Sequence, residues 1–180
     1  MKEFKNQLSF LELPELLPKQ EITKTTACFT GHRNISNTVL PEIKRILYTE
    51  IEKLYFSGIR CFLSGGAIGF DTLAAKAVLK LRQCHTDVSL FLVFPCLNQE
   101  KFFNETQKKE YHRILSLANG VRQTQNTYYP GCMQARNRYL INNSDLCVAY
   151  YTGVSSGGTA YTVRYAERRN KAVINLANQI

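Results

Sequence analysis

The sequence contains no long apolar segment. None of its apolar runs reaches the ~20 residues that a membrane-spanning helix needs. Residues 1–20 mix lysine, glutamate and leucine, so they lack the continuous apolar core of a secretory signal. We therefore expect a chain that has no membrane partner and that remains in the cytoplasm.

The sequence also lacks closely spaced cysteine pairs. None of its six cysteines belongs to a Cys-x-x-Cys motif, and Cys28, Cys61 and Cys147 fall inside apolar, strand-like runs. Buried thiols are the simplest interpretation, because free cysteine behaves as a small hydrophobic residue. The pattern argues against a metal site and a disulfide framework, and it fits a reducing compartment.

Charge is distributed unevenly along the chain. Residues 1–24 contribute nothing to the formal net charge of +9, since their four basic and four acidic side chains cancel. Pro14 and Pro18 interrupt the leucine pattern of this stretch. We predict a partly helical N-terminal extension at 1–24 and one Rossmann-like domain at 25–180. The basic domain suits an anionic ligand, either a nucleotide or a nucleic acid.

Residues 60–78 contain the most informative motif. A short apolar strand ends at Ser64-Gly65-Gly66, and a helix rich in alanine and leucine begins after Gly69. In such a turn the first helical amides, which lack partners inside the helix, favour an anion. The spacing is neither that of dinucleotide dehydrogenases nor that of a P-loop. The alternative is a plain tight turn in which the helix N-terminus stabilises Asp71.

A second strand, glycine turn and helix occur near the C-terminus. The apolar run 145–151 is followed by Ser156-Gly157-Gly158-Thr159 and then by a helical pattern. If both turns follow parallel strands, they can face one another across a single cleft, where open α/β sheets bind ligands. Gly31-His32-Arg33 follows the first strand in the same way. Arg33 could therefore bind a phosphate, whereas His32 is either a ligand contact or a hydrogen-bonded structural histidine.

The alternation of strand and helix patterns predicts a mainly parallel sheet covered by helices on both faces, which is a Rossmann-like three-layer α/β/α fold. The predicted strands are 25–30, 59–63, 88–94, 120–124, 145–151 and 172–176, and the predicted helices are 41–57, 70–83, 100–118, 134–143 and 160–169. A tyrosine-rich loop, 126–133, precedes the fourth helix. Its Tyr128 and Tyr129 either stack on a base or pack within the loop.

Four motifs together resemble one protein superfamily. In chain order they are Thr30-Gly31-His32-Arg33, Ser64-Gly65-Gly66-Ala67-Ile68-Gly69-Phe70-Asp71, Ala135-Arg136-Asn137-Arg138 and Ser156-Gly157-Gly158-Thr159. Their composition and order resemble the YpsA-like branch of the SLOG superfamily, which also contains the LOG (Lonely guy) phosphoribohydrolases and the DNA-processing protein A family. The resemblance covers about residues 26–176. It implies a Rossmann-like fold with a cleft for a nucleotide or a nucleotide-derived ligand.

The motifs and the resemblance together define the residues expected at that cleft. The expected ligand-binding residues are Gly31, His32, Arg33, Ser64, Gly65, Gly66, Gly69, Asp71, Arg136, Ser156, Gly157, Gly158 and Thr159. Amides of the two glycine turns would hold phosphate oxygens, with Arg33 as the counter-charge and Arg136 as a further candidate. The expected ligand is a nucleotide-like small molecule or phosphate, no metal is expected, and association with further copies of the chain stays open.

Three functions are compatible with this pattern. The first, which we favour, is a non-catalytic binding protein, such as a sensor of an NAD-like or ADP-ribose-like ligand. The second is a LOG-like hydrolase of a nucleotide N-glycosidic bond, for which Asp71 is the best catalytic candidate. The LOG motif PGGxGTxxE is incomplete here, since residues 155–162 contain no glutamate. The third is a single-stranded nucleic-acid-binding protein of the DNA-processing type.

Overall fold

A computed structural model describes residues 25–180; the extension predicted at 1–24 lies outside the described residues. The centre of the structure is a six-stranded sheet with the order β4-β3-β2-β1-β5-β6. All five strand pairs are parallel. The strands are β1 (Thr26–Gly31), β2 (Cys61–Ser64), β3 (Ser89–Phe94), β4 (Gly120–Gln123), β5 (Leu146–Tyr150) and β6 (Ala172–Asn175).

Helices cover both faces of the sheet, as the alternating pattern predicts. They are α1 (Leu40–Phe56), α2 (Phe70–Arg82), α3 (Glu105–Leu117), α4 (Cys132–Asn142) and α5 (Gly158–Arg168). Phe29 and Phe62 point to the face where α1, α2 and α3 pack. Their neighbours Cys28 and Leu63 point to the opposite face, against α4 and α5. This alternation of strand side chains divides the core into two layers and confirms the three-layer Rossmann-like fold.

The strand order reverses beside β1. From β1 the chain moves outward through β2 and β3 to the edge strand β4, and it then returns to β5 on the other side of β1. The loops that follow β1 and β5 therefore leave in opposite directions and open a crevice at the carboxyl ends of these strands. This reversal is where doubly wound sheets place their ligands.

The start of α3 differs from the sequence prediction. A short 3-10 turn occupies Gln99–Phe102, and α3 begins at Glu105 rather than near residue 100. The reason is a capping box at Asn104 and Gln107. The Asn104 side chain accepts from the Gln107 backbone N–H at 2.9 Å, and the Gln107 side chain accepts from the Asn104 N–H at 3.0 Å. Every other predicted element begins and ends within two residues of the observed one.

The cysteines are free thiols, and most of them are buried. Cys28, Cys96, Cys132 and Cys147 lie in the interior, Cys61 is half-buried, and Cys84 is exposed. Within residues 25–180, no helix is long and apolar enough to span a bilayer.

Candidate ligand-binding cleft

A cleft of about 370 Å³ opens at the carboxyl ends of β1 and β5. Four segments form its walls: the end of β1 with the loop after it, and the first turns of α2, α4 and α5. The residues that line it are Phe29, Thr30, Gly31, His32, Arg33, Ala67, Asp71, Met133, Gln134, Arg136, Asn137, Gly158 and Thr159. The cleft therefore lies at the strand-order reversal, as the positions of the sequence motifs predict.

Three helix N-termini meet at this cleft. Asp71 lies in the first turn of α2, Met133 and Gln134 in that of α4, and Gly158 and Thr159 in that of α5. The first backbone N–H groups of a helix lack intrahelical acceptors, and the helix dipole adds a partial positive charge there. The three ends together give the cleft a positive electrostatic potential, which favours an anion.

The N-terminus of α2 is already paired with a carboxylate of the protein. Asp71, only 6% exposed, accepts from the Ala67 N–H at 3.4 Å and from the Arg136 guanidinium at 3.3 Å, in both cases through Oδ2. The Ser64 hydroxyl donates to the Asp71 carbonyl at 3.3 Å. The first glycine turn therefore surrounds an internal ion pair, and a ligand phosphate placed there would meet a negative charge.

Burial opposes the ionised forms of both partners in this pair. Burial raises the pKa of Asp71, while Arg136, the Ala67 N–H and Arg33 act in the opposite direction. Burial also lowers the pKa of Arg136, although Asp71 opposes this. Because arginine is not deprotonated in proteins, we assign Arg136 as ionised. Arg33, Arg136 and Asp71 then leave one net positive charge at the cleft.

The Arg136 side chain has one polar atom that its surroundings do not satisfy. The residue is 5% exposed, and its Nε has no hydrogen-bond acceptor among residues 25–180. Its Nη1 is directed to Asp71 instead. A buried donor without an acceptor is costly, so Nε is a place where a polar ligand atom or a water would be stabilised.

The first turn of α5 contains no acidic residue, in contrast to that of α2. Its N-cap residue, Gly157, has a φ of +97° and provides no side-chain cap. The first backbone hydrogen bond of the helix runs from the Tyr161 N–H to the Gly157 carbonyl. In the part of the chain that the structure describes, the amides of Gly158 and Thr159 therefore have no acceptor. This helix end is therefore a favourable position in the cleft for a phosphate group.

Two glycines of the first turn are required by close packing. A Cβ on Gly65 would lie 1.1 Å from Nη1 of Arg136, and a Cβ on Gly69 would lie 2.2 Å from the carbonyl oxygen of Arg33. Both distances are far below contact distance, so any larger residue would displace these arginines. Gly65 and Gly69 therefore leave space for the Arg136 side chain and the Arg33 backbone, and they are not among the lining residues of the cleft.

Gly31 and Gly66 also have close neighbours. A Cβ on Gly31 would lie 2.5 Å from the Phe70 side chain, and one on Gly66 would lie 2.8 Å from the Phe94 ring. Gly31 still lines the cleft, whereas Gly66 faces away from it toward Phe94 and Gln99. The two glycine turns thus lie at the same end of the sheet, and in the described part of the chain the amides of Gly158 and Thr159 in the second turn have no acceptor.

His32 lines the cleft and is held by the loop after β5. Its Nε2 accepts from the Thr152 backbone N–H at 3.1 Å and lies 3.0 Å from the Thr152 hydroxyl. Burial lowers the pKa of His32. With Nε2 as an acceptor, the neutral ring has its proton on Nδ1. His32 is therefore a structural histidine that connects two loops, and it also lines the cleft.

Comparison with known proteins identifies the family of this chain. Residues 28–178 match the model of the YpsA family, described as the YspA SLOG family. The chain belongs to the YpsA SLOG family. It is 33% identical over 143 residues to a UPF0398 protein of Halalkalibacterium halodurans, covering 78% of this chain and 73% of that protein. It is 29% identical over 147 residues to the SPbeta prophage-derived protein YoqJ of Bacillus subtilis, covering 74% and 85% respectively.

Solved structures give the same fold at lower sequence identity. DNA processing protein A from Helicobacter pylori, which is described as binding single-stranded DNA, superposes with a TM-score of 0.60 at 20% identity. The match covers 87% of this chain and 71% of that one. The Streptococcus pneumoniae protein of the same name gives 0.60 at 18% identity, over 83% of this chain and 49% of that one. These similarities establish the fold, and the family assignment confirms the resemblance seen in the four motifs.

The cleft of this YpsA family member contains about half of the residues predicted from the sequence. The predicted residues that line it are Gly31, His32, Arg33, Asp71, Arg136, Gly158 and Thr159. Those outside the lining are Ser64, Gly65, Gly66, Gly69, Ser156 and Gly157. The sequence reasoning missed Phe29, Thr30, Ala67, Met133, Gln134 and Asn137. Helical spacing places Met133 and Asn137 on one side of α4, but no sequence signal shows that this side faces the cleft.

Asn137, which the sequence did not predict as a cleft residue, connects two helices. Its side-chain Nδ2 donates to the Thr162 hydroxyl at 2.7 Å, and that hydroxyl donates to the Gly158 carbonyl at 2.7 Å. The two bonds join α4 to the first turn of α5 and are largely buried. They keep the open end of α5 in position beside Arg136.

Proposed function

We propose that the cleft binds the phosphate of a nucleotide or nucleotide derivative, such as an NAD-like or ADP-ribose-like molecule, and that the protein acts by binding. The observation that supports this most directly is the uncapped N-terminus of α5 in a cleft formed by three helix ends. In this proposal the amides of Gly158 and Thr159 bind one phosphate. Arg33 and the Nδ1–H of His32 provide further donors on the opposite wall.

Arg33 is suited to recognise an incoming phosphate. It is exposed and lines the cleft, so its guanidinium can reorient at little cost. Arg136, by contrast, is buried and paired with Asp71. We therefore assign Arg33 as the ligand-contacting cation and Arg136 as the cation that neutralises Asp71 and supports the positive potential. Bidentate binding by guanidinium suits phosphate geometry.

The remaining walls are suited to the rest of a nucleotide. Met133 and Gln134, at the start of α4, provide an adaptable apolar surface beside an amide group. The volume of about 370 Å³ lies within the usual range of ~300–1,000 Å³ for small-molecule sites. It is a small cleft by that measure, so it fits one nucleotide unit of such a ligand.

Thermal denaturation of the full chain with inorganic phosphate, AMP, ADP-ribose and NAD tests the proposal. A ligand at 100 times its Kd adds about 2.7 kcal/mol, which corresponds to a rise in Tm of roughly 5–11 °C for a domain of this size. Arg33→Ala should weaken binding roughly 10- to 150-fold, the range expected for one hydrogen bond to a charged group. Arg168→Ala, at the opposite end of α5, is the matched control and should bind like the wild type.

Two results would count against the proposal. One is the absence of any shift across a broad nucleotide panel in protein whose folding is verified by circular dichroism. The other is equal affinity of the Arg33→Ala and Arg168→Ala variants for the ligand that gives the largest shift. Isothermal titration calorimetry provides the Kd values for this comparison.

The same samples separate binding from hydrolysis of an N-glycosidic bond. Asp71 lines the cleft, but Oδ2 of its carboxylate is bound to Arg136 and to the Ala67 N–H. In the binding proposal, nucleoside monophosphates are recovered unchanged after incubation. Release of free base by the wild type, lost in Asp71→Asn, would instead establish the hydrolase alternative.

Nucleic-acid binding is the second candidate, and an exposed aromatic side chain favours it. Tyr128, in the loop before α4, is 70% exposed, and the chain has a formal net charge of +9. Tyr128→Ala should reduce affinity for a single-stranded oligonucleotide by about 1–3 kcal/mol, and affinity should fall steeply with salt. Phe56→Ala, an exposed aromatic at the C-terminal end of α1, is the control. Salt-insensitive binding, or equal effects of the two substitutions, would exclude this candidate.

A further inference from the structure

A second concave surface lies on the other side of the molecule. It runs along α2 between α1 and α3, and its volume of about 580 Å³ exceeds that of the cleft. We call it the basic groove and define it by its lining residues, Lys44, Leu47, Tyr48, Leu73, Lys76, Ala77, Leu79, Lys80, Arg82, Gln83, Arg113 and Leu117. It is far from α4 and α5, which pack on the opposite face of the sheet.

The floor of the basic groove is apolar and partly exposed. Leu73 and Ala77 are half-buried residues on the outer side of α2, one helical turn apart. Leu117, at the end of α3, is 42% exposed. The small side chain of Ala77 leaves the space between the flanking helices unfilled. Apolar surface of this kind favours a covering segment.

The rim of the basic groove has charges of one sign. Five of its lining residues are lysine or arginine, and none is aspartate or glutamate. Glu110 lies nearby and pairs with both Lys76, at 3.3 Å, and Arg113, at 2.8 Å. Within residues 25–180, Lys44 and Lys80 have no carboxylate partner; Lys80 instead lies 4.5 Å from the centre of the Tyr48 ring. The groove therefore has unneutralised positive charge.

One segment of the same chain has the complementary composition. Residues 8–17 read Leu-Ser-Phe-Leu-Glu-Leu-Pro-Glu-Leu-Leu, with six apolar side chains, two glutamates and no basic residue. The rest of the chain supplies the basic excess, because residues 1–24 have no net charge. A leucine-rich acidic segment matches both the apolar floor and the basic rim.

The connection to β1 is long enough. Helices of parallel α/β units run opposite to the strands, so the C-terminal end of α2, with Arg82, lies at the end of the sheet where β1 begins. Thr25 at that end accepts from the backbone N–H groups of Arg60 and Cys61. Seven residues, 18–24, separate Leu17 from Thr25, and the eight Cα–Cα steps span up to roughly 26 Å when extended, enough to pass from β1 to the near end of the groove.

We propose that residues 8–17 bind the basic groove of their own chain, with leucine side chains on its floor and with Glu12 and Glu15 beside its lysines. The groove is then an internal docking surface, and the N-terminal segment covers the outer side of α2. The contact is both apolar and ionic, so charge reversal weakens it without removing its apolar part.

Zero-length carbodiimide coupling of the full chain tests this proposal, because the reagent joins only carboxylates and amines that are already in contact. Mass spectrometry should find Glu12 or Glu15 joined to Lys44, Lys76 or Lys80 in monomeric protein, with a yield that does not change over a tenfold range of protein concentration. Exposed Lys109, on α3 outside the groove, is the internal control and should give no such product.

Charge-reversal variants test the same proposal without relying on a cross-linked product. Glu12→Lys with Glu15→Lys should increase hydrogen exchange in the outer turns of α2 severalfold, and adding Lys76→Glu with Lys80→Glu should restore protection. As the matched control, Lys108→Glu with Lys109→Glu, added to the same Glu12→Lys, Glu15→Lys chain, should not restore protection from hydrogen exchange. The proposal is overturned by products confined to cross-linked dimers, which would place the segment on a second copy. It is equally overturned by coupling mainly to Lys109, or by unchanged exchange in the charge-reversed chain.

Discussion

Replacing Arg136 by methionine would leave the carboxylate of Asp71 without its ion-pair partner. In the folded protein Asp71 is 6% exposed and Arg136 is 5% exposed, and their closest atoms are 3.3 Å apart. The remaining contact of the Asp71 carboxylate is the Ala67 N–H at 3.4 Å, which is too long to replace a cation. The prediction is therefore a large loss of stability in Arg136→Met.

The magnitude follows from the burial of both groups. Removing one partner of a buried ion pair costs about 3–5 kcal/mol, because the other charge stays desolvated. Arg33 also stabilises the ionised form of Asp71, so the lower part of this range is the better expectation. For a domain of this size, 3–5 kcal/mol corresponds to a decrease in Tm of roughly 6–20 °C.

The loss of stability in Arg136→Met should depend on pH. Burial already raises the pKa of Asp71 above its ordinary value of 3.8, and removal of Arg136 raises it further. Between 3.8 and that raised pKa the folded state binds more protons than the unfolded state, so the free energy of unfolding falls as pH rises. The difference in free energy of unfolding between the wild type and Arg136→Met should therefore decrease from pH 7 to pH 5, by at most about 1.4 kcal/mol per pH unit.

Urea denaturation at pH 5, 6 and 7 measures both the loss of free energy of unfolding and its dependence on pH. Arg138→Met is the matched control, since Arg138 lies two residues further along α4 and is exposed. It should cost less than about 1 kcal/mol at every pH. A loss in Arg136→Met that is below 1 kcal/mol, or that is the same at the three pH values, would refute the account of Asp71 as a buried, ionised partner.

Two further predictions concern neighbouring residues of the cleft. Gly65→Ala should destabilise the protein by several kcal/mol, because the new Cβ would lie 1.1 Å from Nη1 of Arg136. Gly158→Ala should keep Tm within about 2 °C, because the heavy atom nearest to its Cβ is 3.9 Å away. Equal decreases of Tm in the two variants would contradict the packing argument. His32 should titrate below 6.5 by NMR, since burial lowers its pKa and its Nε2 accepts from Thr152. Its contribution to stability should be lost as pH falls below 6.5, and a titration midpoint above 6.5 would show that the ring is not held in this way.

Local sequence patterns predicted the elements well, and their one large error has a local cause. The apolar run before Pro95 and the helical spacing around Ile43 and Leu47 both gave elements close to those observed. The predicted third helix began too early because the capping box at Asn104 was overlooked, although its asparagine and glutamine are visible in the sequence. A capping motif of this kind depends on four consecutive residues, so sequence reasoning can find it.

The site was harder to predict because glycine has two different uses. Gly65 and Gly69 fit the pattern of a phosphate-binding turn, yet in the structure they accommodate Arg136 and the backbone of Arg33. Absence of a side chain permits a close approach, but the sequence does not show whether a ligand or another part of the chain makes it. In the second turn, Gly158 lines the cleft, and a Cβ there would lie no closer than 3.9 Å to another heavy atom.

The sequence by itself determined the strands, most of the helices and the family, because hydrophobic periodicity and turn chemistry act over a few residues. Its motifs also contain Arg33, Asp71 and Arg136, which line one cleft in the structure. The tertiary structure alone decided that Asp71 pairs with Arg136, which is 65 residues away, and that Gly158 and Thr159 of α5 line the same cleft as this pair. The physical reason is that a charge chooses its partner by distance in the folded protein and by burial, and neither quantity is contained in local sequence.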